Sequence, residues 1–352
     1  MTHADDRSFV RFGSHRIGPG EEIFIIAEAG VNHDGDVSVA HELVDLAADT
    51  GANAVKFQTF KPEALVTNTA GTTPYQQKAG FAESQSEMLA RLTLPDTAWS
   101  ELRDHCEERG ITFLSTPFDF DSARMLADLG VPGLKIGSGE LTNTPYLSAI
   151  AEFGIPMIVS TGMGTREEIA AALEATAKAP ATVLLHCVSA YPAPLEDANL
   201  RAIPALRDEF GVEVGWSDHT PGAVTAIAAT ALGSTLLEKH VTTDKRRNGP
   251  DHAASLEREE FAEYVRSVRE ARAALGDGRK RRMPSEEANA SLVRRSYHVS
   301  RDLPAGTVIT AADVAILRPE GGLAPSATVV GRTTARALSA GLPVLTEDLL
   351  QA

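Results

Sequence analysis

Two short runs share a form: Ser217-Asp218-His219 and Glu238-Lys239-His240 each end an apolar, β-rich run on a histidine. Imidazoles on neighbouring strand ends can converge on one divalent ion, and two protein nitrogens leave positions open for water or substrate. That pattern belongs to catalysis, since structural metal sites are closed by four protein ligands. On their own, two such histidines fit polar strand ends facing solvent equally well. What decides between the readings is which other residues reach the same place.

The elements that would carry such ends repeat along the chain. From Ile23 onward, IFIIAEAG, AVKFQTF, ITFLSTPFD, GLKIGSGE, PMIVSTGM, TVLLHCVSAYP, VEVGWSDHT and STLLEKHVT are each followed, directly or after a loop, by a stretch of helical period. Runs that start apolar and turn polar at their ends fit parallel strands covered by helices. Eight such units predict an α/β fold, a (β/α)8 TIM barrel, in which reacting groups collect at the C-terminal ends of the strands. An open doubly wound sheet would carry a glycine-rich phosphate turn after its first strand, where this chain has Glu28-Ala29-Gly30-Val31-Asn32-His33. The stretch from Lys61 to Arg91 reads as an irregular polar excursion.

The strand ends supply Glu28, Lys56, Gln58, Thr116, Lys135, Ser138, Glu140, Ser160, His186, Ser189, Tyr191, Ser217, Asp218, His219, Glu238 and His240. Two lysines and several hydroxyls at one mouth suit an anion, because each donates to oxygen and the lysines bring the charge. Glu28 and Glu140 suit proton transfer or the ordering of a sugar hydroxyl. Each lysine also has a bland reading as a side chain reaching to solvent. Tyr191, before Pro192, reads equally as a loop anchor. Cys187 reads as a core residue, with nothing in the sequence to lower its thiol pKa.

At 352 residues the chain suits one large domain plus a small one, and 43% hydrophobic with 23% charged residues is a globular composition. A net charge of -15, with no basic block longer than Arg279-Lys280-Arg281-Arg282, argues against nucleic acid or an anionic membrane as partner. Two cysteines, Cys106 and Cys187, make no disulfide framework and fit a reducing cytoplasm. The first residues lack an apolar core of signal-peptide length, so the expectation is a soluble cytoplasmic protein. Residues 279–293 are polar and charged and read as a linker between a barrel of residues 1–278 and a compact segment, 294–352. That segment holds an internal echo: Leu303-Pro304-Ala305-Gly306 with Thr310 and Asp313, then Leu338-Ser339-Ala340-Gly341 with Val344, Thr346 and Asp348. Each copy reads as a hairpin turn running into a capped helical turn.

IIAEAGVNHDGD (Ile25 to Asp36), GANAVKFQTF, TPFD, KIGSGE, STGM, HCVSAYP, GWSDHT and EKH followed by GPDH, together with the C-terminal segment, resemble the sialic acid synthase family over nearly the whole chain. The resemblance implies a (β/α)8 barrel joined to a small antifreeze-like (SAF) domain, in a domain-swapped homodimer. It implies condensation of phosphoenolpyruvate with an N-acetylated aldose and water, giving a nine-carbon α-keto acid and phosphate, with Mn or Mg as cofactor. By matching motif, His219 and His240 become the metal ligands, and Lys56, Thr116, Lys135, Ser138, Ser160 and Ser217 fall where phosphoenolpyruvate is held. Glu28, Gln58, Glu140, Tyr191 and Asp251 fall where the sugar, water or protons are ordered, with Glu140 a candidate to handle the proton as phosphate leaves by C–O cleavage. Arg318, in LRPEGG, matches an arginine that a partner's small domain presents to the sugar. Ser189 departs from an asparagine common in synthases specific for N-acetylmannosamine, and His252 is more typical of relatives acting on diacetamido sugars. The acceptor is then N-acetylmannosamine or a diacetamido analogue, as in legionaminate or pseudaminate synthases.

Two other readings draw on the same residues. A Schiff-base aldolase would use Lys135 as an amine nucleophile, with no need of the two histidines. A non-catalytic glycan-binding protein would leave the polar mouth of the barrel without a purpose.

Overall fold

A computed structural model describes residues 9–67 and 84–351, and the chain divides into two compact units, Met1–Gly276 and Asp277–Ala352. The first opens with an antiparallel hairpin, β1 (Val10–Phe12) and β2 (His15–Ile17). Eight parallel strands follow: β3 (Phe24–Gly30), β4 (Ala54–Thr59), β5 (Thr112–Pro117), β6 (Leu134–Ile136), β7 (Met157–Ser160), β8 (Thr182–Cys187), β9 (Val214–Asp218) and β10 (Leu236–His240). They are ordered β5-β4-β3-β10-β9-β8-β7-β6, chain order around a ring, and β5 lies beside β6 at a seam without a ladder pair. Helices cover the outside, from Val37–Asp49 to Arg258–Leu275. This is the nearly closed (β/α)8 barrel that the alternation predicts. No helix among the described residues is long and apolar enough to cross a membrane.

The barrel strands are largely buried because both faces are covered. In β3, Ile25, Ala27 and Ala29 join the layer between strands and helices with Leu43, Val44 and Trp99. Phe24 and Ile26 belong instead to an inner cluster with Leu114, Ile158, Val183 and Leu236. Burial of each such side chain contributes ~1.5–3 kcal/mol. Helix starts are set by side-chain caps: Asp36 accepts from Ser38 N, Asp119 from Ser122 N, and Thr165 with Glu168 forms a capping box.

The hairpin, which the sequence reading passes over, closes the barrel at the strand starts. Phe12 and Ile17 are fully buried in the inner cluster, and a Cβ at Gly133 would overlap the Phe12 ring. Within the polar excursion, Pro62–Leu65 and Gln85–Arg91 are helical. The rest of that expectation, residues 68–83, lies outside the described residues.

The second unit begins at Asp277, just before the stretch expected to be a linker, and that stretch holds a 3-10 turn at Pro284–Glu286 and a helix at Glu287–Val293. Strands β11 (Ser296–Val299) and β12 (Val314–Leu317) then pair antiparallel over a core that includes Val299, Leu303, Ile309, Leu338 and Val344. The echo in the sequence is an echo in structure. Leu303 and Leu338 exchange backbone hydrogen bonds of 2.8 Å, and Gly306 and Gly341 take φ of 78° and 82°. Asp313 accepts from Thr310 N and Asp348 from Leu345 N, both at 2.8 Å. Each aspartate also holds an arginine, Arg301 at 2.7 Å and Arg336 at 2.6 Å.

Candidate active site

Residues two apart on a strand share a face, and that parity brings the strand-end side chains to one cavity of about 330 Å³. Its wall takes Glu28 from β3, Lys56 and Gln58 from β4, Thr116 from β5, Lys135 from β6, Ser160 from β7, Cys187 from β8, Ser217 from β9, and Glu238 and His240 from β10. Beyond the strand ends, Phe118, Ser138, Met163, Ser189, Tyr191, His219 and Asp251 complete it. Register fixes neighbours: His240 lies opposite Glu28, Glu28 opposite Lys56, Gln58 opposite Thr116, and Glu238 opposite Ser217.

Of the residues that the family resemblance assigns to the site, all but Glu140 and Arg318 line this cavity. Glu140 ends the 3-10 turn Ser138–Glu140 and accepts from Asn143 Nδ2 at 2.7 Å, which holds it off the wall. Arg318 is an exposed residue of the second unit. His186 also stays out, its ring 5.1 Å from that of Trp216 and its Nε2 2.9 Å from Ala198 O.

The centre is a buried cluster of alternating charge. Lys56 Nζ lies 2.5 Å from Glu28 Oε2, 2.9 Å from Thr116 Oγ1 and 3.8 Å from Glu238 Oε2. Lys135 Nζ lies 3.3 Å from Glu238 Oε1, which also accepts from Ser217 Oγ at 3.2 Å. Burial pushes Glu28 up to about 7 in spite of Lys56, and the like charge of Glu238 adds to the rise. In Glu238 burial is outweighed by Lys135 and Lys56, which hold it below the usual carboxylate range. Burial lowers Lys135, with Glu238 opposing. One carboxylate is thus ionised between two ammonium groups while the other titrates near neutrality.

The hydroxyl side of the cavity is shaped as a cradle. Ser160 Oγ is buried without a hydrogen-bond partner among the described residues, and Gly162 N donates to Ser138 Oγ at 3.0 Å. A Cβ at Gly162 would overlap the hydroxyls of Ser138 and Ser189, so glycine keeps that wall open.

Opposite stand the histidines, ring centroids 5.4 Å apart. Val188 O, which can only accept, lies 2.8 Å from His219 Nδ1; the proton therefore sits on Nδ1 and Nε2 is left as a free donor atom. His240 is buried with Nδ1 unbonded among the described residues, and burial together with His219 holds its pKa well below the ordinary value. Asp251 Oδ2 is 3.9 Å from that Nδ1, and burial raises the Asp251 carboxyl. Tyr191 places its ring 4.1 Å from His219 and 5.8 Å from His240. No group of three or more His, Cys, Asp or Glu among the described residues is arranged to hold a metal ion. Two imidazoles opening on a polar cavity still fit an ion that draws its other ligands from substrate and water.

Three residues play parts that the sequence reading assigned differently or left out. Cys187 is buried, as expected of a core residue, but it also lines the cavity: its Sγ lies 3.8 Å from His219 Nδ1, and against burial His219 and Lys135 bring the thiol below its ordinary value. Glu238, named at a strand end but given no role, organises both lysines, and its parity with His240 is the signal that places it in the cavity. Lys239, one residue on, faces outward; its Nζ is 3.2 Å from Asp218 Oδ2, donates to Thr220 O and lies 5.6 Å from the Tyr264 ring centroid.

Known proteins match this architecture throughout. A sequence model of the NeuB family matches residues 43–280, and one of the SAF domain matches residues 294–350. The chain is 43% identical over 341 residues to the N,N'-diacetyllegionaminic acid synthase of Legionella pneumophila, covering 94% of this chain and 96% of that one. It is 43% identical over 308 residues to the protein of the same name from Campylobacter jejuni, covering 86% and 92%. A solved structure, the N-acetylneuraminic acid (sialic acid) synthetase of Leptospira borgpetersenii in complex with citrate, superposes with a TM-score of 0.72 at 34% identity, over 80% of this chain and 95% of that one. On the match of the family model to its barrel and of its relatives over nearly its full length, the chain belongs to the NeuB family of synthases and carries a SAF domain after the barrel.

Proposed function

We propose that this chain condenses phosphoenolpyruvate with a 2,4-diacetamido aldose and water, giving a nine-carbon α-keto acid and phosphate. The carrying observation is the cradle: Lys56 and Lys135 with the hydroxyls of Thr116, Ser138, Ser160 and Ser217 around one small cavity. Two cations and a rim of donors match a compact anion bearing both phosphate and carboxylate. The acceptor is read from the two relatives at 43% identity, both named for N,N'-diacetyllegionaminic acid. N-acetylmannosamine is the second reading, favoured by the structural match to a sialic acid synthetase.

A carbon–carbon bond forms between C3 of phosphoenolpyruvate and the aldehyde carbon, whose oxygen takes up a proton to become a hydroxyl; water adds at C2 with loss of a proton, and C–O cleavage of the resulting adduct releases phosphate with the bridging oxygen and leaves the keto group. A divalent metal held by His219 and His240 would supply Lewis acidity toward the aldehyde oxygen, and imidazole donors favour Mn over the oxygen-seeking Mg. Glu28 takes the proton of the attacking water, because it titrates near neutrality and is held by Gln58 Nε2 at 3.2 Å and by Lys56. Lys56 and Lys135 balance the charge on the departing phosphate. Tyr191 and Asp251, beside the histidines, orient the sugar. Arg318 serves the sugar site of a partner in a domain-swapped homodimer; supporting this, the SAF unit is small for independent stability and Arg318 is exposed. We place the enzyme in the cytoplasm, where both buried thiols stay reduced.

The test is phosphate release from phosphoenolpyruvate with Mn and each sugar. The diacetamido sugar should win by at least ~10-fold in kcat/KM, the scale that one extra recognised group supports. Equal rates, or a preference for N-acetylmannosamine, transfer the assignment to the second reading, and no release with either sugar removes both. Oxygen label in the bridging position should end in phosphate; label kept in the keto acid, or borohydride trapping on Lys135, would indicate Schiff-base chemistry.

A further inference from the structure

Asp251 reaches the cavity from the loop between β10 and the helix Arg258–Leu275, and what aims it is not its own carboxylate. Its Oδ2 lies 3.9 Å from Nδ1 of the His240 ring. The backbone behind it is tied down on both sides. Asp251 O accepts from Ser255 Oγ at 2.7 Å, and Ser255 Oγ accepts from Asn32 Nδ2 at 2.9 Å. Asn32 Nδ2 also donates to Val241 O at 2.8 Å.

The next residue, His252, is fully buried, with Nε2 3.0 Å from Asp34 Oδ1 and Nδ1 2.7 Å from Thr242 Oγ1. Asp34 Oδ2 in turn accepts from Arg247 Nε at 2.8 Å, within the same loop as Asp251. Asp34 stands at φ 53°, a left-handed conformation at which a non-glycine residue is strained. A Cβ at Gly249 would lie 2.5 Å from His252 Cδ2 and 2.8 Å from Asp34 Oδ1, so the loop backbone packs directly on the pair. None of Asp34, Thr242, Arg247 or His252 lines the cavity.

We propose that Asp34 and His252 form a clasp between the loop after β3 and the loop after β10 that positions Asp251 in the sugar site. The clasp rests on the reading of Asp251 as a sugar-orienting residue. Both loops leave neighbouring strands paired in register, His240 opposite Glu28, so a bond between them fixes the loop against the strand ends that carry the chemistry. A displacement of about 1 Å at a positioned group can cost roughly 100-fold in rate.

Two variants and a reference test this. Asp34→Asn keeps a residue that tolerates the left-handed backbone, and His252→Leu removes both hydrogen bonds without adding a larger ring beside Gly249; Asp251→Asn is the reference. Each clasp variant should lower kcat/KM for the sugar by about 10- to 100-fold with KM for phosphoenolpyruvate unchanged. Combined with Asp251→Asn, neither should cost more than Asp251→Asn alone, because a group acting through Asp251 has nothing left to position. Additive losses, or equal loss of phosphoenolpyruvate binding, would overturn the proposal. A readout independent of turnover separates its failure from that of the proposed function: trypsin cleavage after Lys245, Arg246 or Arg247 should accelerate in both variants by more than their loss of global stability in denaturant unfolding accounts for. Unchanged cleavage sinks the clasp whatever the enzyme makes. An inactive wild type whose clasp variants are still cut faster would sink only the assigned reaction and the sugar role of Asp251.

Discussion

Glu28 shows how far a residue's setting outweighs its identity. Its carboxyl, ordinarily near 4.5, is raised to about 7 by burial. Between those values the unfolded chain has released the proton and the folded chain has not, so this group's contribution to stability falls as pH rises through the window. Glu28→Gln should therefore gain in melting temperature relative to wild type between about pH 5 and 7.5. The variant should also lose roughly 100-fold or more in turnover and the bend near pH 7 in the rate profile. A wild-type profile without that bend would place the proton elsewhere. At this scale most of the site was legible: residue types at strand ends named both lysines, the hydroxyls and the histidines. Glu140 was misplaced because a turn into a helix re-aims its side chain, and a short polar run shows no such turn. Cys187 looked apolar since the sequence does not state which imidazole will stand beside a thiol.

Among elements, the long parallel strands and their helices were readable from periodicity. The three-residue strands of the N-terminal hairpin were not, because so short a run has no period. Yet the hairpin fills the barrel's inner cluster. Phe12 is fully buried, its ring 6.3 Å from that of Phe24. Phe12→Ala should cost about 3–5 kcal/mol of stability in denaturant unfolding and leave kcat near wild type, since the plug is at the strand starts and the chemistry at their ends. A variant as stable as wild type would mean the hairpin rests on the barrel without sealing it. The pairing of Lys239 with Asp218 escaped notice for a different reason. Both precede histidines that dominate the motif, and only the alternation of faces separates the two jobs.

For the whole molecule, the comparisons establish the family and the two domains, while assembly is our proposal. If Arg318 serves a partner's site, mixing Arg318→Ala subunits with His219→Ala subunits should restore part of the activity that each parent lacks. One barrel in the mixed dimer then combines an intact metal site with an intact arginine. No recovery after proven subunit exchange would assign Arg318 to its own barrel or to none. Domain order was readable in the sequence from the change in texture after Gly278. The helix Glu287–Val293 was hidden there because it is only seven residues long and buries none of them, so it shows no apolar stripe.

The ring of strands has one unzipped seam, between β5 and β6. Thr116 stands on one side of it and Lys135 on the other, both turned into the cavity. An anion gripped by the two would act as a stitch across the gap, so occupancy and breathing of the barrel become one equilibrium. Amides of β5 and β6 should exchange with deuterium faster than those of β9 and β10 in the free enzyme, and phosphoenolpyruvate should slow them selectively.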